Sequence, residues 1–558
     1  MLKVCPKETA SMLTRDRTRL DADIYRPDAK GEFPVLLMRQ PYGRAIASTV
    51  VYAHPSWYAA HGYIVVIQDV RGRGTSEGEF HLFTHEIEDG LDTVNWAADL
   101  PGSSGQVGMY GFSYQGMTQL YAAIAQPPAL KTICPAMIAY DLYTDWAYEG
   151  GAFCFQANLA WAIQLAAETA RLEGDAIAYQ TLYAASRNLP LYDPVPQFVQ
   201  ILRKYTPDAF YYEWLDHSEP GEYWQQLSPK THMQDIDLPM FHVGGWFDPY
   251  LRGTLHLYKD MATRSNFAQH LVVGPWSHLP WGRKVGAVDY GAEAAVPVDQ
   301  LQIRWFDHFL KGIDTGLLPE PPVSLFEMGA NKWRFLDTWP SHMQSYALGS
   351  TGLASLSDTE GILIELEQPT QNTSFNIQNS FDVLVHDPWR PLPSLGGHAA
   401  IPSGAFDRSS LDCRTDVLTY TSASLAEDLH LVGDVAVEIW CEADAPSFDL
   451  CAVLSEVRPD GSVFNFTQGY VQVHSGQETK PLRMLLQATC MQVKQGNAFR
   501  LSLSAACFPA YPVNPGTGSK AGEARLMDAK IITLTVYSGD DMRSHVLLPV
   551  VLEGESST

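Results

Sequence analysis

Two kinds of hydrophobic patterning divide this chain. Up to residue 134, short continuous apolar runs alternate with segments of helical period. Pro34 to Met38 and Tyr63 to Ile67 are uninterrupted runs of aliphatic and β-branched residues, as strands buried on both faces require. Before a third run, Val107 to Tyr110, the residues Ile87, Leu91, Val94 and Ala98 recur at the spacing of one helix face. Strands separated by helices predict a parallel, doubly wound α/β sheet. From 135 to 235 strand signals fade, and segments such as Phe155 to Ile163 crowd Ala, Leu, Trp and Phe together, which predicts a helical insertion. Strand signals return at Leu238 to Val243 and at His270 to Val273, so the sheet is expected to resume over 236–315. An insertion placed between strands lies above their carboxyl ends, where open α/β sheets bind ligands. It therefore predicts a cap over a site.

A helix is expected from Leu301 to Lys311, followed by the Gly- and Pro-rich linker Gly312 to Pro322. Beyond it the period changes to two: Val323 to Phe326, Val435 to Trp440 and Phe499 to Ser504 alternate and are punctuated by turns such as Pro459-Asp460-Gly461. Residues 316–558 accordingly predict an all-β sandwich or jelly roll. The expected division is a first sheet part at 1–134, a cap at 135–235, a second sheet part at 236–315 and the β domain at 316–558.

Composition narrows the class. Apolar residues at 46% and charged residues at 18% exclude a disordered chain. A formal net charge of -25 would repel a phosphate backbone and argues against nucleic acid as a partner. No apolar run approaches the roughly 18–20 residues that span a bilayer, and Met1 to Glu8 lacks a signal-peptide core. Eight cysteines form no C-x-x-C pair, which reads as reduced thiols rather than a disulfide framework or zinc site. A cytoplasmic protein without metal or other cofactor is expected; its oligomeric state is open.

The candidate chemistry begins at Gly111-Phe112-Ser113-Tyr114-Gln115-Gly116, set between the run ending at Tyr110 and the helix-prone Met117 to Ile124. Strand, tight turn and helix in that order lift a serine onto an exposed elbow above an α/β-hydrolase sheet. Gln115 stands where G-x-S-x-G has its second glycine, and Gly116 follows one residue later. A serine hydroxyl needs a histidine to take its proton and a carboxylate to orient that histidine. The strand Met240 to Val243 runs on to Asp248, and the next strand runs through Gly274-Pro275 to His278. Acid and base thus follow Ser113 in the α/β-hydrolase order. His242 and His270 lie within or beside strands and read as structural groups, while Asp235 and Asp237 stand at the wrong end of their strand. For the oxyanion, one donor is expected from the Tyr114 amide. Because Pro41 has no N–H, the Tyr42 phenol becomes the attractive second donor.

Five spaced segments resemble the cocaine-esterase family of acyl esterases: Pro41-Tyr42-Gly43, Asp69 to Gly78, Gly111 to Tyr114, Gly244 to Asp248 and Gly274 to His278. That family is related to X-prolyl dipeptidyl-peptidases, glutaryl-cephalosporin acylases and α-amino-acid ester hydrolases. Asp449, the Val457 to Gly461 turn and Asn514-Pro515 extend the resemblance into a jelly-roll domain. The resemblance implies a triad of Ser113, Asp248 and His278 with Tyr42 and Tyr114 as oxyanion donors, and it accounts for Gln115 through a Ser-Tyr-x-Gly pattern. It also places Trp161 and Tyr250 among positions that line an acyl pocket. Arg17 stands where the family has a glycine in its first hairpin. Gly72, Gly74 and Gly78 do not have dinucleotide-loop spacing, and the segment is read as a shaped loop with Asp69 and Arg71 paired inside it.

Asp141, Asp145 and Glu149 recur every four residues. On a helix they would share one face, and a solvated stripe or a cap at Asp141 is expected rather than a site for a substrate ammonium. The reading favoured by the sequence is a serine hydrolase of small-molecule esters, with amides as a further substrate class. An α-amino-acid ester hydrolase, an N-acyl amidase and an X-prolyl dipeptidyl-peptidase share the same chemistry, and a catalytically silent binding protein is the rival outside it.

Overall fold

The computed structural model describes residues 1–45, 49–191, 199–279, 281–366, 381–474, 480–519, 524–539 and 541–551. Its first sheet is built from β1 (Glu8–Leu13), β2 (Arg19–Tyr25), β3 (Phe33–Gln40), β4 (Ile64–Asp69), β5 (Ser103–Phe112) and β6 (Leu130–Ala136). After the insertion it continues through β7 (Met240–Phe247), β8 (Gln269–Ser277), β9 (Val323–Glu327) and β10 (Lys332–Leu336). The strand order is β1-β2-β4-β3-β5-β6-β7-β8-β9-β10. All pairings from β4 to β9 are parallel, with antiparallel strands at both edges. The continuous apolar runs are the central strands: Val35 to Met38 and Val65 to Ile67 are fully buried. Helices cover both faces, α1 (Glu86–Ala98), α2 (Tyr114–Ile124) and α5 (Val298–Lys311) among them.

Between β6 and β7 the chain forms the helical insertion, whose longest helix is α3 (Phe155–Glu173). After β7 comes α4 (Leu251–Arg264). Trp161, Trp214 and Trp224 of the insertion are buried in one core with the face of the sheet that carries α1 and α2.

One strand expected in the sandwich lies elsewhere. Val323–Glu327 pairs in parallel with β8 (Leu271 with Val323, Val273 with Leu325) and belongs to the first sheet. A four-residue run of Val, Ser, Leu and Phe fits a buried parallel strand as well as a sandwich strand. Its period could not distinguish them. Beyond residue 336 the described chain is largely antiparallel β-structure, including the long strands Leu429–Ala443, Ser447–Val457, Val463–His474 and Leu482–Val493. This part packs against the sheet: Trp246 and Phe247 of β7 share a core with Leu431, Phe466 and Leu486. No helix among the described residues is long and apolar enough to cross a membrane.

Candidate active site

Ser113 joins β5 to α2 with φ 59 and ψ -127, a left-handed backbone that a non-glycine residue adopts only under constraint. The constraint is the sheet: the Ser113 N–H donates to Ala136 O at 2.9 Å, fastening the turn to β6. Gly116 rather than residue 115 must be glycine, because a Cβ there would lie 2.3 Å from Ile138 Cγ2. The departure from G-x-S-x-G thus follows from where α2 crosses the chain after β6. Tyr114 is the first helical residue, so its N–H has no acceptor within the helix. Its phenol is turned away, donating to Glu86 at 2.7 Å and stacked on Phe83.

The structure places Asp248 and His278 just past the ends of adjacent parallel strands, β7 and β8. His278 Nδ1 lies 2.8 Å from Asp248 Oδ1. Asp248 is fully buried and His278 is a quarter exposed, which leaves the imidazole one accessible side. Gln487 of the β part donates to the carbonyls of both Trp246 and Asp248, at 2.8 and 3.1 Å, and so fixes the turn that carries the acid.

Tyr42 follows β3 and its hydroxyl accepts from Trp161 Nε1 at 3.1 Å. Burial pushes the phenol up to about 12, against the opposing effects of Trp161, the Arg73 guanidinium and Ser113. The phenol therefore stays protonated and can donate at neutral pH. Tyr42, Ser113, His278, Trp161 and Tyr250 line a single cavity of about 500 Å³. Tyr250 packs edge-on to the His278 ring at 5.0 Å and lies 4.2 Å from Trp146. Five of the side chains singled out from the sequence thus reach one space, with Asp248 buried behind His278 and the Tyr114 phenol directed elsewhere. His242 and His270 are buried in other parts of the sheet, and desolvation pushes each down to about 4; neither borders the cavity.

Two expectations are corrected. Asp69 does not pair with Arg71: it binds Arg44, whose backbone N–H donates to it at 2.7 Å, whereas Arg71 bridges Asp16 and Asp89 at 2.7 Å each. Gly74 packs directly over Asp69, where a Cβ would come within 1.9 Å of its carboxylate. The acid thus turns toward its partner on the other side of the loop. Nor do Asp141, Asp145 and Glu149 share a solvated helix face. Asp141 does cap, accepting from Tyr143 N–H at 3.1 Å, but Tyr143–Ala147 is a single π-turn leading into the short strand Tyr148–Glu149. Asp145 is fully buried against His256 at 2.8 Å, and Glu149 is buried against Arg252, His398 and Tyr511. Spacing by four cannot reveal partners that arrive from 100 or more residues away.

Sequence reasoning also missed Glu149, Arg252, His398 and Tyr511 as cavity walls, and Arg73 beneath the site. Arg73 is buried with its guanidinium 3.9 Å above the Phe80 ring, and no carboxylate pairs with it among the described residues. Its place inside a glycine-rich loop gives no local sign of this. No group of described residues offers a cluster that could hold a metal ion.

Comparison with known proteins matches residues 16–280 to the X-Pro dipeptidyl-peptidase (S15 family) and residues 316–544 to the X-Pro dipeptidyl-peptidase C-terminal non-catalytic domain. The chain is 30% identical to the cocaine esterase of Rhodococcus sp. (strain MB1 Bresler) over 96% of its own length and 97% of that protein's. Among solved structures it is similar to an aminopeptidase from a marine sediment Thaumarchaeota archaeon, with TM-score 0.80, 23% identity, and 98% and 96% of the two chains covered. An α-amino acid ester hydrolase gives TM-score 0.76 at 22% identity, covering 98% and 97%. These two likenesses concern the fold.

Proposed function

Because the chain belongs to the cocaine-esterase family, in which it is a serine hydrolase of esters, we propose that Ser113 is its nucleophile, His278 its base and Asp248 the acid that orients His278. The observation that carries the assignment is the 2.8 Å Asp248–His278 contact at the wall of the cavity that Ser113 and Tyr42 also line. In this reading His278 Nε2 takes the proton of Ser113 Oγ as the hydroxyl attacks the ester carbonyl. Asp248 holds the imidazole by Nδ1 and stabilises the imidazolium that forms. The Tyr114 N–H and the Tyr42 hydroxyl receive the oxyanion. His278 then returns its proton to the departing alcohol, leaving an acyl group on Ser113, and a water activated by the same imidazole releases the acid.

Trp161 and Tyr250, with Trp146 and Phe112, give the cavity an apolar, largely aromatic wall that suits an acyl or aryl group of an ester. Residues 316–558 are read as the jelly-roll domain, whose first strands extend the hydrolase sheet of 1–134 and 236–315, with the cap at 135–235. A reducing, cytoplasmic compartment is supported by eight cysteines that are all unpaired. Ester cleavage is favoured over the amino-ester and dipeptide variants of the same chemistry, because Glu149, the one carboxylate on the cavity wall among the described residues, already faces Arg252 at 2.6 Å. A panel of p-nitrophenyl esters, acyl amides, amino-acid esters and X-Pro dipeptide substrates tests this. Turnover of simple acyl esters that Ser113→Ala abolishes supports it, and selective turnover of free-amine substrates contradicts it.

A further inference from the structure

The cavity also has a polar lining, assembled from three separate parts of the chain. Glu149 comes from the insertion, Arg252 from the first turn of α4, and His398 and Tyr511 from the β part. Glu149 Oε2 accepts from His398 Nε2 at 2.8 Å and from the Tyr511 hydroxyl, and lies 2.6 Å from Arg252 Nη1. Burial alone would raise the Glu149 carboxyl, but Arg252 and His398 hold it well below the usual range, so it is ionised beside the guanidinium.

The guanidinium is the underused member. Its Nη1 is committed to Glu149 at 2.6 Å, which leaves the rest of the fork for other partners. The side chain keeps 17% exposure and lines the cavity. A guanidinium carries five N–H donors in a fixed fork, and a substrate in the cavity can offer an acceptor to those that face it. The charge of that acceptor is set by the pair. A substrate carboxylate would meet Arg252 but also Glu149, and a substrate ammonium the reverse, so either would surrender its hydration for little net attraction.

We propose that Arg252, held by Glu149, is a donor subsite for an uncharged oxygen acceptor on the part of the ester substrate remote from the scissile bond. Substrates of this class carry a second carbonyl or ether oxygen, as a ketone, amide or second ester does. The inference rests on the ester-hydrolase reading of the cavity and adds what the polar lining selects.

Matched aryl esters with a distal acetyl, isopropyl, carboxylate or aminomethyl group, placed in one series on the acyl side and in another on the alcohol side, read the subsite directly. In at least one series the acetyl compound is expected to exceed the isopropyl and both charged compounds by about tenfold in kcat/KM. Arg252→Met should bring the acetyl-to-isopropyl ratio to near one. Glu149→Gln leaves Arg252 uncompensated and should move the preference toward the carboxylate by about tenfold. An acetyl preference kept in folded Arg252→Met, or absent from both wild-type series, overturns the proposal. Should Arg252→Met fail to fold, an unchanged carboxylate ratio in Glu149→Gln overturns it instead. If no ester of either series turned over, the ester-hydrolase reading would be at fault. The same ratios would then be read as dissociation constants of the matched ketones, and the same outcomes would support or overturn the subsite.

Discussion

The indole of Trp161 donates a hydrogen bond to the hydroxyl oxygen of Tyr42, 3.1 Å away. An indole N–H can only donate, so the phenol must spend its own proton elsewhere, and the space beyond it is the cavity that Ser113 lines. The pair joins the helical insertion to the strand end after β3, and in the proposed mechanism it aims the phenol's proton at the oxyanion.

Tyr42→Phe removes that donor and keeps the ring. A loss of roughly 10²–10³ in kcat, about 3–4 kcal/mol, is expected for one oxyanion donor, with KM altered far less. Steady-state kinetics on a simple acyl ester checks it. A change confined to KM would make Tyr42 a pocket wall only.

Gln487 links the β part to the turn that carries Asp248 through its bonds to Trp246 O and Asp248 O. Gln487→Leu preserves the bulk of the side chain and removes both donors. Loosening Asp248 should lower kcat by roughly tenfold, about 1.4 kcal/mol, and should leave KM nearly unaltered. A fall in thermal stability with kcat intact would assign Gln487 to domain packing alone.

Asp449 offers a test of pH and stability. It is buried, with burial pushing its carboxyl up to about 6 against bonds from Tyr470 and Asn514. A folded-state value above the unfolded value of about 3.9 means that the folded chain binds the proton more tightly. The associated stability is complete below about pH 4 and is lost as pH rises through about 6, an effect of about 3 kcal/mol. Asp449→Asn cannot titrate. The melting temperature of the variant relative to wild type should therefore be higher at pH 7.5 than at pH 4.5, by roughly 5 °C. An offset independent of pH would show that Asp449 does not titrate in this range.

Much of this architecture is legible in the sequence where a single local signal settles it. The runs at Val35 and Val65 are buried parallel strands, and the glycines around Ser113 mark a turn that the packing of Ile138 requires. Asp248 and His278 are recognisable by their positions after strands, since strand ends of a parallel sheet converge on one edge. What could not be read depends on partners remote in sequence. Glu149 and Arg252 lie 103 residues apart and His398 another 146 beyond, and nothing local marks them as neighbours. Asp69 and Arg71 are two residues apart yet bind different partners, because Gly74 and the hairpin at Asp16 shape the loop between them. At Arg17, where the resemblance leads one to expect a glycine, the arginine takes φ 69 in the hairpin turn.

The central claim is that Ser113 is a nucleophile activated by His278. Labelling of the folded protein with a fluorophosphonate, followed by mass spectrometry of the intact chain and its peptides, tests it most directly. One adduct per chain is expected, on Ser113, formed in step with loss of ester hydrolysis. It should be absent in Ser113→Ala and at least about 10³-fold slower in His278→Ala. Full labelling at another serine, or ester hydrolysis that persists in folded Ser113→Ala, would contradict it.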